Sequence, residues 1–411
     1  MTAISTEPHS TVSELPPQRE RLLSLDVFRG ITIAGMLLVN NPGTWSAIYP
    51  PLEHAEWNGW TPTDLIFPFF LFIVGITTYL SITSRRAHGA DDSAIIKQII
   101  RRGLIIYALG FLMSLSPGYQ WGAIDGMPHP SAWDRILVRW EHVRIMGVLA
   151  RIGIVYILAA LICYKTTIKQ QVIIIACILY GYWAAMTLLP VPGTGGTLGA
   201  HLIGTHDQNL AAWLDRKILG PNHIWVGGVT FDPEGPMSTI PAIATAMLGY
   251  LCGRWLGTAR QLLEKMSGLF AVGSIGMMLG LMWSWSFPIN KSLWTSSYVL
   301  FTAGMACVVL ATCMWIIDYK NVRGWTKPWV VFGVNPIVAF VGSGMFARLI
   351  YTLWTVNYEG KTVPLQKVLY ERGFHSWLPD RLASFAFALA FLFFWYLILA
   401  WLYKKKIFLK V

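Results

Sequence analysis

His54 sits in a short polar insert, PPLEHAEWNGWTPTDL, between two long apolar stretches, and Asp64 follows ten residues later where the second stretch begins. Imidazole has an unperturbed pKa near 6.5, so it can take up and release a proton near neutral pH. A carboxylate within reach would hold the ring in one orientation and one tautomer. With only Glu53 and Glu56 for company, His54 reads as a solvated loop histidine; Asp64 at the top of the next apolar segment makes proton transfer the sharper reading.

A second set of chemically active groups lies inside the apolar segments themselves. Asp26 and Arg29 are three residues apart and so share one face of a helix. Asn40 lies 11 residues beyond Arg29, about three helical turns and roughly 16 Å of rise, nearly on the same face. One stripe of the first segment therefore carries polar groups from end to end. Arg144 and Arg151 are seven residues apart and repeat the pattern in a fourth segment. Ions at membrane depth are costly unless paired or facing a cavity, so they are functional candidates. Cations on two helices could line a shared passage; snorkelling, or pairing of Arg144 and Arg151 with Glu141, Asp134 or Asp64, is the plainer alternative.

These groups need a membrane scaffold to position them. The 411 residues are 55% hydrophobic and 13% charged, with 20 Trp, whereas soluble domains are about 25% charged. A span needs about 20 apolar residues. Ten stretches qualify: 25–42, 61–83, 97–116, 142–164, 171–190, 237–257, 267–287, 294–317, 330–352 and 382–403. The expected fold is all-α, a polytopic bundle of about ten transmembrane helices behind a tail at 1–24, with residues 25–411 as a single domain. The tail lacks the charged n-region and cleavage pattern of a secretory signal, so the first apolar run is expected to be retained.

Lys and Arg give the orientation. Arg19, Arg21, Arg85, Arg86, Lys97, Arg101, Arg102, Lys165, Lys169, Arg254, Arg260, Lys265, Lys320, Arg323, Lys327 and Lys404 to Lys406 fall on one side of a ten-span chain. Cytoplasmic connections carry the basic excess, so both termini are expected inside. The net charge of +11 is then mostly a topology signal, and a nucleic-acid partner is not expected.

The outer side holds the His54 insert at 43–60 and connections at 117–141, 191–236 and 353–381, with seven of the nine histidines. No HxxxH or HExxH spacing occurs among them, so no metal site is expected. The strip VPGTGGTLGAHLIG lacks the GxxxxGK[ST] pattern of a phosphate loop and reads as a lid or packing loop. Trp57, Trp60, Trp121, Trp133 and Trp140 suit interface anchors. The five cysteines lie in apolar runs and read as packing residues rather than a disulfide framework. Gly273, Gly276 and Gly280 form a small-residue face on which a homodimer could pack.

The runs LDVFRG, VN and HAEWNGWTPTDLIFPFFLFIVG, followed by RIMGVLARIGIVY, LPVPG, TFDPEGPMSTI, NKSLWTSSYV, GVNPIVAF and the closing YKKKIFLKV, resemble the heparan-α-glucosaminide N-acetyltransferase family of transmembrane acyltransferases. The likeness runs in order through nearly the whole chain beyond residue 20. The large N-terminal lumenal domain of the lysosomal enzyme is expected to have no counterpart, which would suit a bacterial inner-membrane form.

The resemblance implies acetyl transfer across a membrane, from cytosolic acetyl-CoA to the amino group of glucosamine or a terminal glucosaminyl residue outside. It assigns the active-site histidine to His54 and the asparagine beside the acetyl group to Asn40, a donor able to hydrogen-bond the thioester carbonyl as charge develops. Asp64 would orient His54. Arg29, Arg101 and Arg102 at the inner side could take the phosphates of coenzyme A, with Arg144, Arg151 and Asn335 completing the donor set. Trp57, Asn58, Asp232 and Glu234 are the expected acceptor-binding residues. His54 acts either as general base in a direct transfer or as an acyl acceptor in two steps. A transporter using the same polar path for a sugar or acyl donor is the alternative from a different class, although no internal repeat of the transporter kind is visible.

Overall fold

The computed structural model describes residues 22–409. Arg19, Arg21 and most of the expected tail lie outside the described residues. The rest is built from fourteen α-helices: α1 (Leu23–Val39), α2 (Ile66–Ala87), α3 (Asp92–Leu115), α4 (Ala132–Glu141), α5 (Val148–Lys165), α6 (Ile168–Leu188), α7 (Leu210–Leu219), α8 (Pro236–Leu256), α9 (Leu262–Trp283), α10 (Ser296–Cys313), α11 (Lys327–Val334), α12 (Ser343–Arg348), α13 (Leu365–Tyr370) and α14 (Asp380–Lys404). One short antiparallel hairpin, β1 (Thr355–Tyr358) with β2 (Lys361–Pro364), departs from the all-α expectation. Its Glu359–Gly360 turn has φ of 50° and 76°, the left-handed pair that a tight two-residue hairpin turn requires.

Six helices among the described residues are long and apolar enough to cross a membrane, and a bent pair makes seven. They are Pro62–Ala87, Val148–Lys165, Ile168–Leu188, Leu262–Trp283, Ser296–Tyr319 and Asp380–Lys404. The other expected spans are helical but fall outside this set. Helix α1 has only 17 residues, α3 carries Lys97, Arg101 and Arg102 in its first half, and α8 holds Pro241 with Ser238, Thr239 and Thr245.

The expected continuous span over 330–352 is instead broken, with Lys327–Val334 and Val338–Leu353 bent by 82°. Pro336 explains the break: its ring removes a backbone donor, clashes with the preceding turn, and drives Asn335 out of helical geometry to φ −121°, ψ 58°.

Backbone contact organises the bundle. Helix α2 crosses α8 at Gly75 and Gly249, where an added Cβ would run into the carbonyls of Ala246 and Phe72 respectively. Such small-residue crossings let membrane helices approach closely. Gly273, Gly276 and Gly280 of α9 meet α10 around Gly304, so the glycine face is covered within the chain. The adjoining side of α9, with Val272, Ile275 and Leu279, is exposed and apolar, as a lipid-facing surface should be. The segments before α2, α5, α8 and α10 come together at one end of the bundle, where Asp64, Arg144, Asp232, Glu234 and Lys291 converge.

Candidate active site

Asp64 is held by the turn that starts the second apolar segment. Thr61 precedes a short 3-10 turn, Pro62–Leu65, and exchanges capping bonds with Asp64. Asp64 Oδ2 accepts the backbone N–H groups of Ala55 and Thr61, each at 3.0 Å, and the Thr61 hydroxyl at 3.3 Å. These bonds pull the insert down onto the carboxylate. They leave Oδ1 for His54 Nδ1, 2.7 Å away. Asp64 is 1% exposed and His54 is 45% exposed, so a buried acceptor anchors a ring whose other edge is open. With Nδ1–H donating to the carboxylate, Nε2 is the nitrogen free to accept a proton.

Lys291 completes the group from the connection between α9 and α10. Its Nζ lies 3.0 Å from His54 Nδ1, 3.2 Å from Nε2 and 3.5 Å from Asp64 Oδ1. Burial pulls the Lys291 amine below the usual lysine range, against the opposing pull of Asp64 and Glu234. Asn58 and Asn290 tie the insert to this connection, with Asn290 Nδ2 donating to Asn58 Oδ1 at 3.2 Å. The Tyr298 hydroxyl donates to the Asp64 carbonyl at 2.5 Å and locks α10 to the same turn.

A buried ion network backs the site. Arg144 Nε donates to Asp232 Oδ2 at 2.8 Å and Nη2 to Oδ1 at 2.5 Å, while Nη2 also reaches Glu234. Burial opposes the Arg144 charge, but Glu234 and Asp232 more than offset it and hold the guanidinium above its ordinary range. For Glu234, burial is likewise outweighed by Arg144, and its carboxyl is held low. Arg151, fully buried, donates to the Pro233 carbonyl at 2.7 Å and to Ser238, and its guanidinium carbon lies 5.1 Å from the Trp294 ring centroid. Asp215 on α7 accepts the Asp232 N–H at 3.1 Å, and burial pushes its carboxyl up to about 7.

Residues 21–267 match the family model for the catalytic region of heparan-alpha-glucosaminide N-acetyltransferase. The chain belongs to that family. It is 31% identical to human heparan-alpha-glucosaminide N-acetyltransferase over 446 aligned positions, covering 97% of this chain and 61% of the human protein. The mouse protein is 29% identical, covering 95% of this chain and 60% of its own length. The chain thus spans about three fifths of the length of these relatives.

The remaining residues expected to act in this N-acetyltransferase family member are dispersed. Asn40 caps the end of α1 and is exposed, and among the described residues no hydrogen bond joins it to His54. Trp57 Nε1 donates to the Ile203 carbonyl at 2.8 Å, and its ring meets Phe231 edge-on at 5.2 Å, fixing the insert to the long connection between α6 and α8. Arg144, expected with the donor, and Asp232 and Glu234, expected with the acceptor, are joined in one ion network. Arg144 also precedes α5, which begins only at Val148, so it does not share a helical face with Arg151.

At the opposite end, Arg29 pairs with Asp26 at 2.9 Å and donates to the Gly333 carbonyl at 2.6 Å. Arg102 faces the Tyr156 ring at 5.1 Å, and Arg101 is exposed on α3. Asn335 donates to the Ile407 carbonyl and accepts from Leu409 N–H, both at 3.0 Å, closing the C-terminal segment over α11. A groove of about 580 Å³ opens beside Asp26, with Lys404 and Lys406 in its wall.

Sequence reasoning missed Lys291, Asn290 and Asp215. A signal for Lys291 existed: it is a basic residue in a short connection on the His54 side, against the basic bias of the opposite side. Asp215 had none, because LDRK inside α7 reads as the solvated face of a short helix.

Proposed function

We propose that this protein transfers the acetyl group of acetyl-CoA to the amino group of glucosamine or a terminal glucosaminyl residue, with His54 as general base. The observation that carries the reading is the 2.7 Å contact between His54 Nδ1 and the buried Asp64 carboxylate, in a chain of an N-acetyltransferase family. An amine must shed a proton to form a stable amide, and a positioned base typically contributes about 10² to 10⁴ in rate. Asp64 fixes the tautomer so that Nε2, on the exposed edge of the ring, takes that proton. In this reading the acetyl group passes directly from thioester to amine, without an acyl-histidine.

Asn40, exposed at the end of α1, is the neutral donor for the thioester carbonyl in this reading. Trp57, Asn58, Asp232 and Glu234 shape the acceptor side. The donor phosphates fall to Arg29, Arg101 and Arg102, joined by Lys404 and Lys406 beside the groove at Asp26. Arg144 and Arg151 brace the connection before α8 at the His54 end, and Asn335 braces the C-terminal segment at the other. The setting is a bacterial inner membrane, with the termini inside and His54 facing the periplasm, following the basic bias of the opposite connections.

The test is mass spectrometry of glucosamine incubated with the purified protein and acetyl-CoA. N-acetylglucosamine should accumulate with the parent protein, and His54→Ala should cut the rate at least about 10²-fold while the protein stays monodisperse. Transfer at the parental rate by the alanine variant would remove His54 from the chemistry. Glucosamine uptake into proteoliposomes without acetyl-CoA would instead favour a transporter.

A further inference from the structure

The contact between Lys291 and His54 supplies a proton route that the base alone does not. Lys291 Nζ is within 3.2 Å of both imidazole nitrogens, and only 22% of its side chain is exposed. Its connection is rigid. Asn290 Oδ1 accepts the Leu293 N–H at 2.8 Å, Trp294 N–H donates to the Lys291 carbonyl at 3.1 Å, and the buried Trp294 adopts φ 52°. A bulky residue held in the left-handed region is a strained conformation of the kind kept at functional sites. An amine fixed this firmly against the base is built to work with it.

We propose that Lys291 is the general acid of the transfer, protonating the departing thiolate and recovering its proton from His54. This rests on the acetyltransferase reading above. The acceptor nitrogen attacks the thioester carbonyl carbon, forming the C–N bond, and His54 Nε2 takes the proton that nitrogen sheds. The C–S bond breaks with its electron pair on sulfur. The Lys291 ammonium gives that sulfur a proton, yielding the free thiol. The imidazolium then returns a proton to the neutral Lys291 amine across their contact. The sum is amine plus thioester giving amide plus thiol, with both side chains restored.

The surroundings suit an amine that must release its proton each cycle. Asp64 from the turn before α2 and Glu234 from the turn before α8 favour the charged form. Burial and Arg151 from α5 oppose it, leaving an amine more acidic than a free lysine. His54, the Tyr298 hydroxyl on α10, and Arg144 with its partner Asp232 are further titratable or charged groups at this corner.

The experiment follows initial rates of glucosamine acetylation from about pH 5.5 to 10 for the parent, Lys291→Met and Lys291→Arg. A general acid typically contributes about 10² to 10⁴ in rate. The parent should lose rate on the alkaline side as Lys291 deprotonates. Lys291→Met should lose that alkaline limb and fall at least about 10²-fold in kcat with the KM for acetyl-CoA nearly unchanged. Lys291→Arg should not recover the rate, since a guanidinium holds its proton throughout this range. The limb's shape does not depend on how much of a variant is folded. An intact alkaline limb in Lys291→Met, or a full rate in Lys291→Arg, overturns the assignment and leaves His54 untouched. A parent protein that acetylates nothing overturns the acetyltransferase reading itself.

Discussion

Asp215 is 2% exposed, its Oδ2 accepts the Asp232 N–H, and among the described residues its buried Oδ1 has no partner. Burial therefore raises its carboxyl to about 7 from an ordinary 3.8. The folded state binds this proton more tightly than the unfolded chain. The stability it contributes is complete below about pH 4 and is lost as pH rises to about 7; it amounts to about 4 kcal/mol, because each tenfold gain in proton affinity is worth about 1.36 kcal/mol. Thermal melting in detergent should fall between about pH 4.5 and 8. Asp215→Asn keeps an acceptor for Asp232 and should flatten most of that slope; an unchanged slope would locate the titration elsewhere. The same residue marks the limit of what single positions reveal in sequence. His54 and Asp64 are legible as a pair because they share one insert, whereas Lys291 joins them from 237 residues away. Nothing local in the sequence encodes that meeting.

At the scale of elements, long apolar runs announce themselves, and each of the ten expected spans is helical in whole or part. What the runs do not encode is where a helix breaks or begins. Asn335–Pro336 turns one expected span into a bent pair, and Arg144 falls in the approach to α5 rather than on it. The crossing of α2 and α8 is the element contact on which the site depends, since α2 follows directly from Asp64 and α8 from Glu234. A side chain at Gly249 would meet the Phe72 carbonyl, which cannot rotate away. Overpacking commonly costs about 1 to 3 kcal/mol, and here it must also shift one helix against the other. Gly249→Leu should lower the melting temperature by several degrees and cut acetyl transfer about tenfold or more in the protein that remains folded. Gly181→Leu is the matched control, because a Cβ on that α6 position meets nothing within 4 Å. Equal losses in both variants would mean that the crossing has no special tie to the site.

For the whole molecule, the decisive property is that its two ends differ. One end gathers His54, Asp64, Lys291 and the Arg144 network from four connections. The other collects basic side chains on tyrosine and tryptophan rings, with Arg86 4.5 Å from the Tyr164 ring centroid and Arg260 4.8 Å from that of Trp255. Basic residues stay on the cytoplasmic side, so the imidazole end should face outward. Cysteine accessibility tests this on a background in which the exposed Cys177 is replaced by Ala. Ala123→Cys, in the connection between α3 and α4, should react with a membrane-impermeant maleimide in intact cells. Ala259→Cys, between α8 and α9, should react only after the membrane is opened. The reverse pattern would put His54 in the cytosol and the basic groove beside Asp26 outside, away from cytosolic acetyl-CoA, and would overturn the assignment of the donor phosphates to that end.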